Sequence, residues 1–324
     1  MNYTTNEWGK LKKVIVGIAN NAQIPTDIDI SLRCVNFADE IDESNIQTGP
    51  YPQQVIDEAN EDLEMFVNFL NGESVEVYRP DVTDCNYYNY CPRDSVFVHN
   101  KLALATPMPI QARKDEWRAF EKHLQNVLNV PCTYKKNLYN TRCIGNKDIL
   151  ALNESEPAFD AANVIRANED ILYLVSNSGN KQGAKLLQNI LGNDCKIHLL
   201  KDVYSYMHID STVAFLREGL LLANPSRIKS KDNLPEPFRS WDIIWCPEPV
   251  DIGHYPDWCN ASTWINMNLF SVNTKLVALE ENQEPLRKVL EQYNIECAML
   301  PMRHQRTLGG GFHCVTLDIE RDVD

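Results

Sequence analysis

Four stretches of the chain repeat one pattern: an apolar strand, a polar turn and a second apolar strand. They are DSVFVHNKLALAT (94–106), NVIRANEDILYLV (163–175), DSTVAFLREGLLLA (210–223) and MNLFSVNTKLVAL (267–279). Asn, Asp, Glu or Gly occupies each turn, as the backbone of a tight hairpin requires. The segments downstream of the hairpins recur as well. ARKDEWRAFEKHLQNVL (112–128), KQGAKLLQNILG (181–192) and NQEPLRKVLEQY (282–293) carry apolar residues at helical spacing, and a weaker helix is expected near 232–240. A short apolar strand closes each unit: VPCTY, KIHLL, WDIIWCP and IECAML. A fifth unit forms if the C-terminal strand CVTLDIE pairs with the N-terminal strand KKVIVGI (12–18). The helix at 53–71 and the strand SVEVYRP (74–80) complete it. The spacing therefore predicts an α/β chain of five ββαβ units, closed by its own termini into a propeller-like ring with pseudo-fivefold symmetry, as one domain over 1–324.

A ring brings equivalent positions to one axis. The first strand of each hairpin opens near a polar or reactive residue: Asp94, Asn163 (with Asp160 just before it), Asp210, Asn268 and Cys314. Three acids and a thiol, with His208 beside Asp210, would meet in one central pocket although they are far apart in sequence. Cys314 comes after three consecutive glycines in TLGGGFHC (307–314). Glycine permits positive φ and close approach of other groups, so the thiol can be presented with little steric cover. The same residues would also suit a tight turn ahead of a buried core cysteine, since free cysteine is among the most buried residue types.

Composition narrows the partners. A net charge of −14 argues against nucleic acid and anionic membranes, and no apolar run is long enough to span a bilayer. The N-terminus resembles neither a signal nor a transit peptide, which places the chain in the cytoplasm as an expectation. Ten cysteines are scattered without CxxC pairs or zinc-like spacing. The expectation is reduced thiols, no disulfide, no metal and no cofactor.

Chemistry suits that pocket to one substrate class. A thiolate is the reactive form of cysteine, and a nearby histidine can generate it and carry a proton. Carboxylates oppose a developing oxyanion but accept the N–H donors of a planar guanidinium. The pocket reads as a guanidine site. The runs CPRD (91–94), EPAFDAANVIR (156–166), MHIDSTVAF (207–215), LLANPSR (221–227) and TLGGGFHC, in that order, resemble the amidinotransferase family, as does the opening NEWGKLKKVIVGIANNAQIP (6–25). The resemblance covers essentially the whole chain. It implies a five-bladed α/β propeller and transfer of an amidino group from L-arginine to an amine acceptor, with ornithine released.

The resemblance also implies roles. Cys314 would be the nucleophile, His208 the general acid/base, and Asp160 the acid that orients it. Asp94 and Asp210 would bind the guanidinium, and Arg227 the substrate α-carboxylate, with Ser262 assisting. Asn163, where some members carry a second Asp, and Met207 complete the expected substrate contacts. His313, Arg93 and Arg166 are expected to be structural, and a homodimer is the family's habit. Tyr204-Ser205-Tyr206 replaces the Pro-Asn-Pro of the glycine-using enzyme, which points to an acceptor other than glycine. A diamine, an ω-amino acid or a biosynthetic intermediate would fit better. An arginine deiminase or dihydrolase, with water as acceptor, is the enzymatic alternative. A non-catalytic guanidine-binding protein is the other, though it would have no need of the thiol.

Overall fold

The computed structural model describes residues 3–26, 32–33, 46–84, 86–135, 138–144 and 146–322. Among the described residues, five three-stranded sheets share one design, with two strands antiparallel and a third parallel to the central strand, and Gln23–Ile24 pairs with Gly49–Pro50 in a short two-stranded ribbon. Thr316–Arg321 pairs with Leu11–Val16, which pairs with Glu76–Tyr78. The next sheet is Val96–His99, Leu102–Ala105 and Val127–Asn129. Then come Val164–Ala167, Asp170–Leu174 and Lys196–Leu200, succeeded by Val213–Arg217, Leu220–Ala223 and Asp242–Trp245. Phe270–Asn273, Leu276–Glu280 and Glu296–Leu300 make the last. Asn100, Asn168 and Gly219 take positive φ in the hairpin turns, the reason the sequence places Asn and Gly there.

Three units carry a true helix before the third strand: α1 (Gln53–Gly72), α2 (Lys181–Leu191) and α3 (Glu284–Gln292). In α1, Val55, Ala59, Leu63, Phe66 and Leu70 are buried along one face, the stripe a core-facing helix needs. The helix expected over 112–128 is instead 3-10, over Gln111–Arg113 and Glu116–His123, and its strand comes early at Val127–Asn129. The weaker helix near 232–240 is two 3-10 turns, Lys231–Asn233 and Glu236–Phe238, broken by Pro235. Proline lacks the N–H that an α-helix would need at that point.

The short turns ahead of the hairpins hold the units together. Pro92–Asp94 packs on Ala161–Asn163, which packs on Ile209–Ser211, which packs on Thr263–Met267. That turn meets the short helix Gln305–Leu308, and Thr316–Arg321 returns to Pro92–Asp94. Beneath them lies a buried ion cluster. Arg166 donates to Glu7 at 2.7 Å and to Asp318 at 2.8 Å, while Arg93 and Arg321 each reach Asp318 at 2.6 Å. The cluster ties the N-terminal segment to three sheets.

One expectation fails here. Cys143 is disulfide-bonded, a pairing made in space that the scattered spacing gave no sign of. Cys91, Cys132, Cys195, Cys246, Cys259, Cys297 and Cys314 are free thiols, and Cys34 and Cys85 lie outside the described residues. Among the described residues no helix is long and apolar enough to cross a membrane.

Candidate active site

The residues singled out at the strand starts sit one step earlier, on the turns that precede the strands. Asp94 ends the turn Pro92–Asp94, Asp160 caps the turn Ala161–Asn163, His208 caps Ile209–Ser211, and Asn268 ends Thr263–Met267. Cys314 lies in the turn before Thr316–Arg321. Each turn aims a side chain inward before the strand begins.

Glycines let the thiol segment pack closely. Gly309 takes φ 81° as it ends the helix Gln305–Leu308. Gly310 and Gly311 have no positive φ; they are needed for space. A Cβ on Gly310 would lie 2.4 Å from Cys91 Sγ, and one on Gly311 would lie 2.9 Å from Asn268 Cβ. Phe312 anchors the segment on α1 through an edge contact with Phe66 at 4.8 Å between centroids.

Cys314 is buried at the floor of a pocket of about 770 Å³ measured to its open mouth, lined also by Asp94, Met207, His208, Asp210, Arg227 and Ser262. Its thiol donates to Asp210 Oδ2 at 3.0 Å. Asn268 Nδ2 donates to its sulfur at 3.1 Å. The hydrogen bond with Cys91, burial and the charge of Asp210 push the thiol pKa well above its ordinary value, against a lowering contribution from His208. Unliganded, the group is a thiol.

His208 stands between two acids. Its Nε2 meets Asp160 Oδ2 at 3.0 Å, and its Nδ1 lies 3.6 Å from Asp94 Oδ1. Burial opposes the imidazolium, but Asp94, the hydrogen bond to Asp160 and that to Cys314 outweigh it and raise the pKa well above the ordinary value. Asp94 Oδ2 accepts from Arg113 at 2.9 Å. The other oxygen of each acid, Asp94 Oδ1 and Asp160 Oδ1, is buried without a hydrogen-bond partner, and so is Asn260 Oδ1 on the pocket wall. Unpaired buried acceptors are costly. Burial raises the Asp94 pKa against the pull of His208 and Arg113. A pocket ligand rich in N–H donors would relieve Asp94 Oδ1 and Asn260 Oδ1, whose residues line the wall, while Asp160 lies behind His208 and off the lining.

Arg227 lines the same pocket. Its Nη1 donates to Ser211 Oγ and Thr212 Oγ1 at 2.8 Å and to Ser205 Oγ at 3.0 Å. Among the described residues no carboxylate pairs with it, and burial lowers its pKa to about 10. Ser262 caps the neighbouring turn. Asn163 is not brought to the wall: its amide donates to Leu174 O and Ser176 Oγ and accepts from Ser178 Oγ at 2.8 Å. An amide satisfied on both ends stabilises its own hairpin and has nothing left for a substrate. His313, expected to be structural, bridges Asp210 at 3.2 Å and Glu7 at 3.5 Å. Hydrogen bonding and charge from His313 hold Asp210 below the ordinary carboxylate range, against the raising effect of burial.

Sequence reasoning missed Arg113. It is buried on the pocket wall between Asp94 and Glu116, with its guanidinium 4.9 Å from the Tyr88 ring. Burial pushes Glu116 up to about 7, against the lowering effect of Arg113. Its one signal was a cation on the inward side of the 112–128 stretch. Tyr206 also lines the pocket and stacks edge-on with Tyr204, and Lys147 lies 5.2 Å from the Tyr206 ring centre. Among the described residues no group of three or more His, Cys, Asp or Glu side chains is arranged to hold a metal.

The fold recurs in solved structures. Dimethylarginine dimethylaminohydrolase from Pseudomonas aeruginosa matches with TM-score 0.64 over 95% of this chain and 99% of that one, at 14% identity. That likeness is one of fold alone and assigns the chain to a class of α/β architecture. The inosamine-phosphate amidinotransferase from Streptomyces griseus goes further: TM-score 0.94 at 37% identity, covering 100% of this chain and 98% of that one. Inosamine-phosphate amidinotransferase 1 from Streptomyces glaucescens is 39% identical over 98% of this chain and 95% of its own length. The L-arginine:L-lysine amidinotransferase of Pseudomonas savastanoi pv. phaseolicola is 31% identical over 97% and 93%. No protein-family model matches the chain. The chain belongs to the amidinotransferase family and is itself an enzyme.

Proposed function

We propose that this chain moves the amidino group of L-arginine to an amine through a covalent intermediate on Cys314, as one five-bladed propeller domain. The observation that carries the reading is the pair of buried carboxylate oxygens without a hydrogen bond, Asp94 Oδ1 and Asp160 Oδ1, on either side of His208 and near the Cys314 thiol. Their missing partners are N–H donors, which a guanidinium supplies in a plane.

With the guanidinium against Asp94, Asp160 and Asp210 and the α-carboxylate on Arg227 and Ser262, the sulfur attacks the guanidino carbon. Asp210 already accepts the thiol's hydrogen bond, and His208, held as imidazolium, donates to the departing nitrogen and takes up the thiol proton in its place. One proton thus moves in net from thiol to leaving amine. The C–N bond breaks, ornithine departs, and a cationic S-amidino-cysteine remains. A second amine then attacks that carbon, its surplus proton passes by way of His208 to the departing sulfur, and the C–S bond breaks to restore the thiol. The chemistry balances without a cofactor.

The acceptor in this reading is larger than glycine and belongs among natural-product precursors. Tyr206 adds aromatic surface to the pocket wall, and relatives named for inosamine-phosphate are more similar than those named for glycine, which are 29–30% identical. Lys147 already covers the two tyrosine rings. What they offer an acceptor is therefore apolar edge.

Mass spectrometry after quenching with arginine alone should find one amidino group on Cys314. An unmodified Cys314 in a preparation that turns over would overturn the covalent step. Citrulline as main product, with no gain from added amines, would reverse the choice of transfer over hydrolysis. A panel of amines scored by ornithine release tests the acceptor; glycine as best substrate by kcat/KM would defeat that part.

A further inference from the structure

We propose that Asn268 is a catalytic residue: its carboxamide N–H holds the sulfur of Cys314 and stabilises the thiolate, both as it attacks and as it leaves. The role rests on the proposed function, in which Cys314 is the attacking group.

The orientation of the amide is fixed by its surroundings. Asn268 Oδ1 accepts from the backbone N–H of His313 at 2.8 Å and of Cys314 at 3.3 Å. Those groups only donate, so the oxygen must face them and the NH₂ must face Sγ, 3.1 Å away. The residue is buried, and Phe312 N–H donates to its carbonyl at 3.1 Å. A Cβ on Gly311 would lie 3.0 Å from both Asn268 Oδ1 and its backbone oxygen. The third glycine of the run is thus what lets Asn268 lie against the chain just ahead of Cys314.

The charges around the sulfur show why an amide is needed. Cys91, Tyr90, Asp210 and His208 face it. Asp210 accepts the thiol hydrogen but repels the thiolate once the proton is gone. His208 favours the thiolate only while protonated, and it must give up that proton to the leaving amine. Asn268 keeps its donor in both states, and the bond strengthens when the sulfur becomes an anion. Other units place Asp94 and Asp210 at the end or middle of the corresponding turn. A second carboxylate beside the sulfur, added to Asp210, would oppose ionisation; the neutral amide supports it.

Asn268→Asp keeps an oxygen for the two backbone N–H groups and exchanges the donor for an acceptor. Asn268→Ala removes both. The readouts are iodoacetamide alkylation of Cys314 across pH without substrate, with peptide mass spectrometry to locate the label, together with kcat, KM and melting temperature. Asn268→Asp should raise the alkylation midpoint by about one to two pH units, a roughly ten- to hundredfold slower reaction at fixed pH below the midpoint. Its kcat should fall in parallel while the arginine KM changes little. Asn268→Ala should raise the midpoint less and melt earlier, which keeps the test alive if the Asp variant fails to fold. A wild-type alkylation midpoint in the folded variants would overturn the proposal, whatever their melting temperatures. Absence of an arginine adduct on wild-type Cys314 would overturn the attacking role of that thiol, and with it the catalytic role of Asn268. The alkylation midpoints would still separate that outcome from a missing hydrogen bond.

Discussion

Asp318 and Asp94 are both buried carboxylates beside arginine, yet their surroundings treat them oppositely. Asp318 accepts from Arg166 and Arg321 and pairs with Arg93, and these cations hold its pKa well below the ordinary value despite burial. Asp94 has Arg113 on one oxygen and no hydrogen-bond partner on the other, and burial raises its pKa. A fully paired cluster ties segments together and leaves nothing to bind. A half-paired one carries an electrostatic deficit that a cationic ligand can fill. The contrast separates frame from site.

The contrast can be broken most sharply at Asp160. Asp160→Asn keeps the shape but removes charge from His208 and the guanidinium site. We expect kcat/KM to fall by roughly 10²–10⁴-fold with little change in melting; an intact rate would remove Asp160 from the chemistry. Arg166→Met should do the reverse. It leaves Glu7 short of a partner and weakens the hold on Asp318, so stability should fall by about 3–5 kcal/mol in denaturant titration. Activity per folded molecule should stay within a few-fold, and a large loss there would mean the two clusters act as one.

Arg227→Ala should raise the arginine KM by roughly tenfold or more through loss of charged hydrogen bonds, with kcat less affected. A fall in kcat at constant KM would mean that Arg227 is no carboxylate clamp. The smallest effect is in pH. The raised pKa of Asp94 means that its charge, and so its attraction for a guanidinium, appears only above the ordinary carboxylate range. In Cys314→Ser protein, thermal stabilisation by arginine should therefore shrink as pH falls from about 7 towards about 4. The frame behaves differently: the lowered pKa of Asp318 contributes stability above the ordinary carboxylate pKa, lost only in stronger acid. Equal stabilisation by arginine at both pH values would count against a charged Asp94 in binding.

Much of this was legible in the sequence, for identifiable reasons. Hairpins announced themselves because Asn100, Asn168 and Gly219 sit where positive φ is required. Asp94, Asp210 and Cys314 could be grouped because repetition assigns them equivalent places, even without knowing their distances. The 112–128 stretch misled because helical periodicity does not separate an α-helix from a run of 3-10 turns. Asn163 was expected at the pocket from its neighbourhood, but Ser176 and Ser178 consume its amide, a contact across a hairpin that spacing cannot reveal. Arg113 and the hydrogen bond from Asn268 to Cys314 stayed hidden for the same reason: each joins residues brought together only by the finished fold.

The pairing of Leu11–Val16 with Thr316–Arg321 has a consequence for how the molecule is made. During synthesis the first strand leaves the ribosome long before its antiparallel partner exists, and it must wait with that edge uncovered. Joining such distant segments is entropically costly and slow. Cys314 travels with the late strand, just ahead of it in the chain. The thiol therefore meets its acids and its histidine in the same event that closes the molecule. A nascent or half-folded chain has no assembled reaction centre, and completion of folding and onset of activity become one step.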